Sequence, residues 1–165
     1  MEKIYETAYA KINLGLDVLG KRSDGYHEVR MVMQSVGLSD AVEIEEGEGL
    51  VVETDHSGLA GGPDNLAWKA AELLARCCGK IPNVHIRLNK KIFLAAGLAG
   101  GSSDAAAVMR GLSRLWQLDL TAPELEKLAA ELGSDIPFCI TGGTALAEGR
   151  GEILTELPEA PELLL

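Results

Sequence analysis

The sequence predicts an α+β domain, and three observations carry that prediction. The first sixty residues are rich in Val, Ile and Tyr and partly alternate between apolar and polar, as strands do. From residue 65 onward, segments with helical periodicity dominate and only a few strands interrupt them. An apolar share of 47% over 165 residues is enough for one hydrophobic core.

In chain order, "EVRMVMQSV" and "AVEIEEG" read as strands, with "DG" at 24–25 and "GEG" at 47–49 as turns. Asn65 is placed to cap a helix through "LAWKAAELLARCC", with Leu66, Ala70, Leu73, Leu74 and Cys77 on one face and Gly79 as its stop. "NVHIRLN" alternates, directing Val84, Ile86 and Leu88 to the core. "DAAAVMRGLSRLWQL" has strong helix propensity, and "TAPELEKLAAELG" opens with a Thr121/Glu124 capping box and closes on Gly133. "TALAEG" and "GEILTEL" form a closing hairpin, and the last residues, "ELPEAPELLL", read as the start of another strand.

Charge and cysteine content narrow the function classes. The net charge of −10 argues against nucleic-acid and membrane-surface partners. Residues 73–103, however, carry five bases and no acid, whereas residues 40–64 carry eight acids and no base. Such a local positive block suits either a solvated face or a small polyanion. Three cysteines in no paired spacing, and three scattered histidines, suggest neither disulfides nor a metal site. With no long apolar run and no signal-peptide pattern at the N-terminus, a cytoplasmic location is expected.

The segment with most chemical content is "IFLAAGLAGGSSD", residues 92–104. Gly97, Gly100 and Gly101 let main-chain N–H groups approach a ligand, and Ser102 and Ser103 open a helix whose N-terminal end is positive. Together these make an anion site, with the hydroxyls as further donors. The pattern is neither a Walker A loop nor a dinucleotide fingerprint. From the residues alone, a tight strand-to-helix turn capped by Ser103 or Asp104 remains the alternative.

"GLAGGSSDAA" resembles the phosphate-binding motif of the GHMP kinases, and the similarity continues in "AYAKINLGLDVLGKRSDGYHEV", "DNLAWKAAELL", "LGSDIPF" and "GTALAEGRGE". Two departures occur in the loop, where the family usually has Pro and Gly and this chain has Phe93 and Ala99. Ala99 is expected to be tolerated through a negative φ. The resemblance implies the GHMP kinase N-terminal fold, which is similar to the second domain of ribosomal protein S5, with a mixed sheet packed against helices. It also implies that residues 1–165 are the ATP-binding and catalytic domain and that the family's C-terminal domain is absent from this chain.

The implied reaction is transfer of the ATP γ-phosphoryl group to the 2-hydroxyl of 4-diphosphocytidyl-2-C-methylerythritol, on the non-mevalonate route to isoprenoid precursors. By resemblance, Asp135 is the catalytic base and Lys11 its partner. Phe93, Leu94, Ala95, Ala96, Gly97, Leu98, Ala99, Gly100, Gly101, Ser102 and Ser103 form the ATP loop, and Asn13, Tyr26 and His27 form the acceptor site. Mg²⁺ is expected with ATP, held largely by phosphate oxygens, with no protein ligand named. Residue by residue, the plainer readings are a turn residue before Pro137 for Asp135, a strand-end charge for Lys11, core filling for Tyr26 and a surface histidine for His27. Another small-molecule kinase of the family, or a polyanion-binding module of the same fold, are the competing functions. Self-association through the face left by the absent domain is also expected.

Overall fold

The computed structural model describes residues 3–160; residues 161–165, including the apolar end expected to begin a strand, lie outside the described residues. Six strands form one mixed sheet against four helices, in the order β1 (Lys3–Lys21), β2 (His27–Glu46), β3 (Leu50–Thr54), α1 (Leu66–Cys77), β4 (Val84–Asn89), α2 (Gly100–Leu115), α3 (Ala122–Ala129), α4 (Ile136–Thr141), β5 (Thr144–Gly149) and β6 (Ile153–Glu156). The expected α+β class and mixed sheet are what the chain adopts.

Strand β2 organises the sheet. The two strand segments expected between residues 28 and 47 are one continuous strand, because β1 pairs with it antiparallel over nearly its whole length. Its other edge is shared: Ala41–Glu46 pair with β4, and Val29–Gln34 pair with β5. Between those two partners the edge is open to other groups. Ser35 donates its N–H to Gly143 O at 2.9 Å, and the Asp40 carboxylate accepts the N–H groups of Lys91 and Ile92. The glycine-rich segment therefore leaves the sheet at a fork between β4 and β5.

One face of the sheet carries the core. Ile4, Ala8, Val42, Ile44, Val84, Ile86 and Leu88 meet α1 and α2 through Ala67, Ala70, Leu74, Ala105, Met109 and Leu112. The predicted alternation of Val84, Ile86 and Leu88 holds, since each is buried. On the opposite face, Lys3, Glu43, Glu45, Glu53 and Arg87 form a solvated ion network. A second cluster, Met31, Met33, Phe138, Ala145 and Ala147, fixes α4 against β2 and β5.

Helix ends follow local chemistry, with three differences from expectation. Asn65 Oδ1 accepts the Ala67 N–H at 2.9 Å, and Gly79 takes φ +64° just past α1, as its cap and stop were read. Glu124 accepts from the Thr121 N–H at 2.8 Å and from its hydroxyl at 2.7 Å, but α3 ends at Ala129 and the chain reaches Gly133 through turns. Helix α2 begins at Gly100 and not at the serines, because glycine is no obstacle in a first turn whose N–H groups need no partner. The turn expected at Asp135 is the N-terminus of α4, with Pro137 in its first turn, where a missing N–H costs nothing.

Candidate active site

Among the described residues the outer edge of β1 has no strand partner, and α2 covers its first half. Ser103 donates its hydroxyl to Tyr9 O, Arg110 donates to Thr7 O at 2.9 Å, and Arg114 reaches toward Tyr5 O at 3.5 Å. Residues 103, 110 and 114 share one helical stripe, so a single helix face satisfies alternate carbonyls of the strand. The row continues into the glycine loop, where the Lys11 N–H donates to Leu98 O at 3.1 Å. This stitching sets Lys11 beside the loop.

Lys11 is only 5% exposed, and its ammonium lies 3.3 Å from Asp135 Oδ2 and 3.3 Å from Asn13 Oδ1. Asp135 stands at the head of α4 with a third of its side chain open to solvent. A buried cation holding a partly open carboxylate is a suitable arrangement for orienting a hydroxyl, since the ion pair fixes where the carboxylate oxygens lie. One turn further along α4, burial pushes the Cys139 thiol up to about 12, aided by the charge of Asp135, so this thiol is no nucleophile.

The loop itself shows where residue reading failed. Ala99 does not take a negative φ. It sits at φ +57° and ψ +31°, in the left-handed region, as the residue preceding α2, and Ala95 is left-handed too, at φ +54°. The stitching of Leu98 to β1 and the bonding of the Ser103 N–H to Ala99 O at 2.8 Å hold the alanine in a conformation it disfavours. Both donors of Ser103 are engaged within the protein, so its hydroxyl is not one of the expected free donors. The N–H groups of Gly100, Gly101 and Ser102, at the start of α2, have no intrahelical partner by helix geometry. Phe93 and Leu94 are exposed at the loop's start.

Residue reading alone did not find the charges beneath the loop. Lys90, at the end of β4, donates to both Asp40 and Asp104, and all three side chains are at most 1% exposed. Burial pushes the Asp104 carboxyl up to about 7, against the pull of Lys90. Burial opposes the charge of Lys90, but the two carboxylates together hold its ammonium above the ordinary lysine value. Asp104 Oδ1 is buried without a hydrogen-bond partner. The signal available was Lys90 and Asp104 flanking the glycines, with nothing to pair them to Asp40.

Tyr26 and His27 lie at the far end of the β1–β2 ribbon. Ser35 is opposite Lys11 and His27 opposite Lys21, so eight residues of β2 separate the two sites, roughly 26 Å of straight strand. Tyr26 is 53% exposed, and the Arg150 guanidinium lies 4.9 Å from its ring centroid. Arg150, from the β5–β6 turn, covers one ring face and was not anticipated. Asn13 adjoins Lys11, not the tyrosine, so the three expected acceptor residues divide between the two ends.

The family profile of the GHMP kinases N terminal domain matches residues 65–143. The chain is 50% identical over 163 residues to the 4-diphosphocytidyl-2-C-methyl-D-erythritol kinase of Caldanaerobacter subterraneus subsp. tengcongensis, covering 99% of this chain and 57% of that protein. It is 54% identical over 153 residues to the protein of the same name from Synechococcus sp. (strain JA-3-3Ab), covering 92% and 50%. A crystal structure of 4-(cytidine 5'-diphospho)-2C-methyl-D-erythritol kinase superposes with a TM-score of 0.80 at 39% identity, covering 93% of this chain and 55% of that one. Mevalonate kinase, at TM-score 0.71 and 14% identity, shares the fold alone. The chain spans about half the length of the curated relatives it matches.

Proposed function

We propose that the chain, whose residues 65–143 match the GHMP kinases N terminal domain, supplies the phosphate loop and the base of an ATP-dependent kinase acting on the 2-hydroxyl of 4-diphosphocytidyl-2-C-methyl-D-erythritol, a cytoplasmic step toward isoprenoid precursors. The observation that carries this is the Lys11–Asp135 pair at 3.3 Å, joined through the Lys11 N–H to the glycine loop at Leu98. Donor phosphates on the N–H groups of Gly100, Gly101 and Ser102 would then lie next to a carboxylate oriented by a buried ammonium.

In a loose phosphoryl-transfer transition state the acceptor proton moves late, so Asp135 acts mainly by aligning the hydroxyl and receives its proton as the new P–O bond forms. Lys11, paired with Asp135 at 3.3 Å, orients that carboxylate and brings a positive charge to the same site, where it would stabilise charge on the transferring group. Mg²⁺ would arrive with ATP, held largely by the phosphate oxygens, and would neutralise part of their charge. The separation of Lys11 from Tyr26 and His27 along the ribbon suits an elongated acceptor, with its reacting hydroxyl at one end and a stacking base at the other. The chain spans about half the length of the relatives it matches, and we assign the wall opposite the glycine loop to a second domain.

The test is a two-domain protein joining this chain to the C-terminal half of the Synechococcus relative, assayed for ADP release with the cytidylyl acceptor, homoserine, mevalonate or galactose. Turnover with the cytidylyl acceptor alone is expected. A preference for any of the others would overturn the substrate assignment.

A further inference from the structure

The most buried ion pairs among the described residues are those of Lys90 with Asp40 and Asp104, which lie under the glycine loop and outside the Lys11–Asp135 pair. They come from three elements. Asp40 is on β2 and also accepts the N–H groups of Lys91 and Ile92; Lys90 follows β4; Asp104 is in the second turn of α2. The whole loop runs between Lys90 and Asp104. A Cβ added to Gly100 would stand 3.6 Å from Lys90 Nζ and 3.0 Å from Ile92 Cγ2, so the ammonium sits directly below the start of α2.

A buried ion cluster is a weak device for stability, since apolar side chains of similar volume often do as well or better. What it adds is direction, because each charge must meet its partner at one place. Here those places are the entry and the exit of the loop. We propose that Lys90, Asp40 and Asp104 are positioning residues that clamp the two ends of the loop together, so that its N–H groups converge before an anion arrives. None of the three touches a ligand, because all are buried. The inference rests on the phosphate reading of the loop.

The test titrates inorganic triphosphate into the ¹⁵N-labelled chain, following the amides of Gly97, Gly100 and Gly101, with a denaturant midpoint for each variant. At pH 8, above the range in which Asp104 takes up its proton, Asp104→Ala removes a negative charge close to an anion site, so charge alone would tighten binding. The clamp instead requires weaker binding, by roughly tenfold, from lost pre-organisation. Asp104→Asn keeps an oxygen for Lys90 and should retain most of the affinity. Unchanged or tighter binding by folded Asp104→Ala overturns the clamp, and so does an equal loss in Asp104→Asn. Should Asp104→Ala not fold, Lys90→Arg and Lys90→Met decide: arginine retaining affinity that methionine loses supports the clamp, and equal affinities overturn it. If the unsubstituted chain ignores triphosphate, the phosphate reading fails by itself. ¹⁵N relaxation then judges the clamp, which requires added motion at the loop glycines of Lys90→Met without added motion at Ile86 and Leu88, and is overturned if the loop order is unchanged.

Discussion

Ala99 is the residue whose conformation most opposes its identity, being left-handed at the threshold of α2. A non-glycine residue there costs on the order of 1 kcal/mol, partly offset by the smaller entropy an alanine loses on folding. Ala99→Gly is therefore expected to raise the unfolding free energy by up to about 1 kcal/mol, read as a higher denaturant midpoint, and a lowered midpoint would show that the αL geometry is not strained. Asp135 poses a different question, that of chemistry against binding. In the two-domain protein, Asp135→Asn should lower kcat by at least about 100-fold while nucleotide affinity holds within a few fold, since in the proposed mechanism the carboxylate acts on the hydroxyl and not on ATP. Near-normal kcat would remove it from the mechanism. The same two residues show what was legible. The motif singles out Asp135 as a candidate, whereas its distance from Lys11 and the sign of φ at Ala99 depend on how β1, α2 and the loop are stitched together, which no local pattern records.

At the scale of elements, patterns that repeat within a segment were readable and pairings between segments were not. The alternation of Val84, Ile86 and Leu88, the Asn65 cap and the Thr121/Glu124 box are local, and each appears as expected. The length of the β1–β2 ribbon, the fork at Ser35–Asp40 and the stripe of α2 that seals the β1 edge are long-range, as is the placing of Arg150 over Tyr26. That last contact bears on the acceptor. A base that stacks on Tyr26 meets either the free ring face or the guanidinium. Tyr26→Ala and His27→Ala should therefore raise KM for the cytidylyl acceptor, with about 1 to 3 kcal/mol lost for the stacking residue, and leave KM for ATP nearly unchanged. Arg150→Ala should share the direction of Tyr26→Ala with a smaller effect. Equal rises in both KM values would place the ribbon end outside the acceptor site.

For the whole molecule, two features set the behaviour of the isolated chain: a buried carboxyl and an uncovered ribbon. Burial raises Asp104 in the folded state to about 7 from an ordinary value of 3.8. Between those values the folded chain binds a proton that the unfolded chain does not, so this group's stabilising contribution is complete below about 4 and is lost as pH rises through about 7. The stability of the unsubstituted chain should thus fall, relative to Asp104→Asn, between pH 5 and 8 in denaturant titrations, and a parallel pair of curves would exclude the linkage. The ribbon acts on association. Leu14, Leu16, Val18 and Leu19 are exposed, and no helix, loop or strand among the described residues covers that half of β1, whereas the β2 side is packed on Phe138 and β5. Exposed apolar surface beside an unpaired strand edge favours pairing between copies. If, as proposed, a second domain supplies the opposite wall, residues 1–165 alone leave water around bound phosphates, which weakens each N–H contact and forfeits orientation of the acceptor. The 165-residue chain alone should therefore sediment with a concentration-dependent mass that Leu16→Glu with Leu19→Lys returns to monomer, and it should bind ATP weakly in calorimetry, with no phosphoryl transfer above background. Monomeric sedimentation at every concentration, together with turnover matching the two-domain protein, would mean that these residues build a complete kinase site and that the ribbon needs no cover.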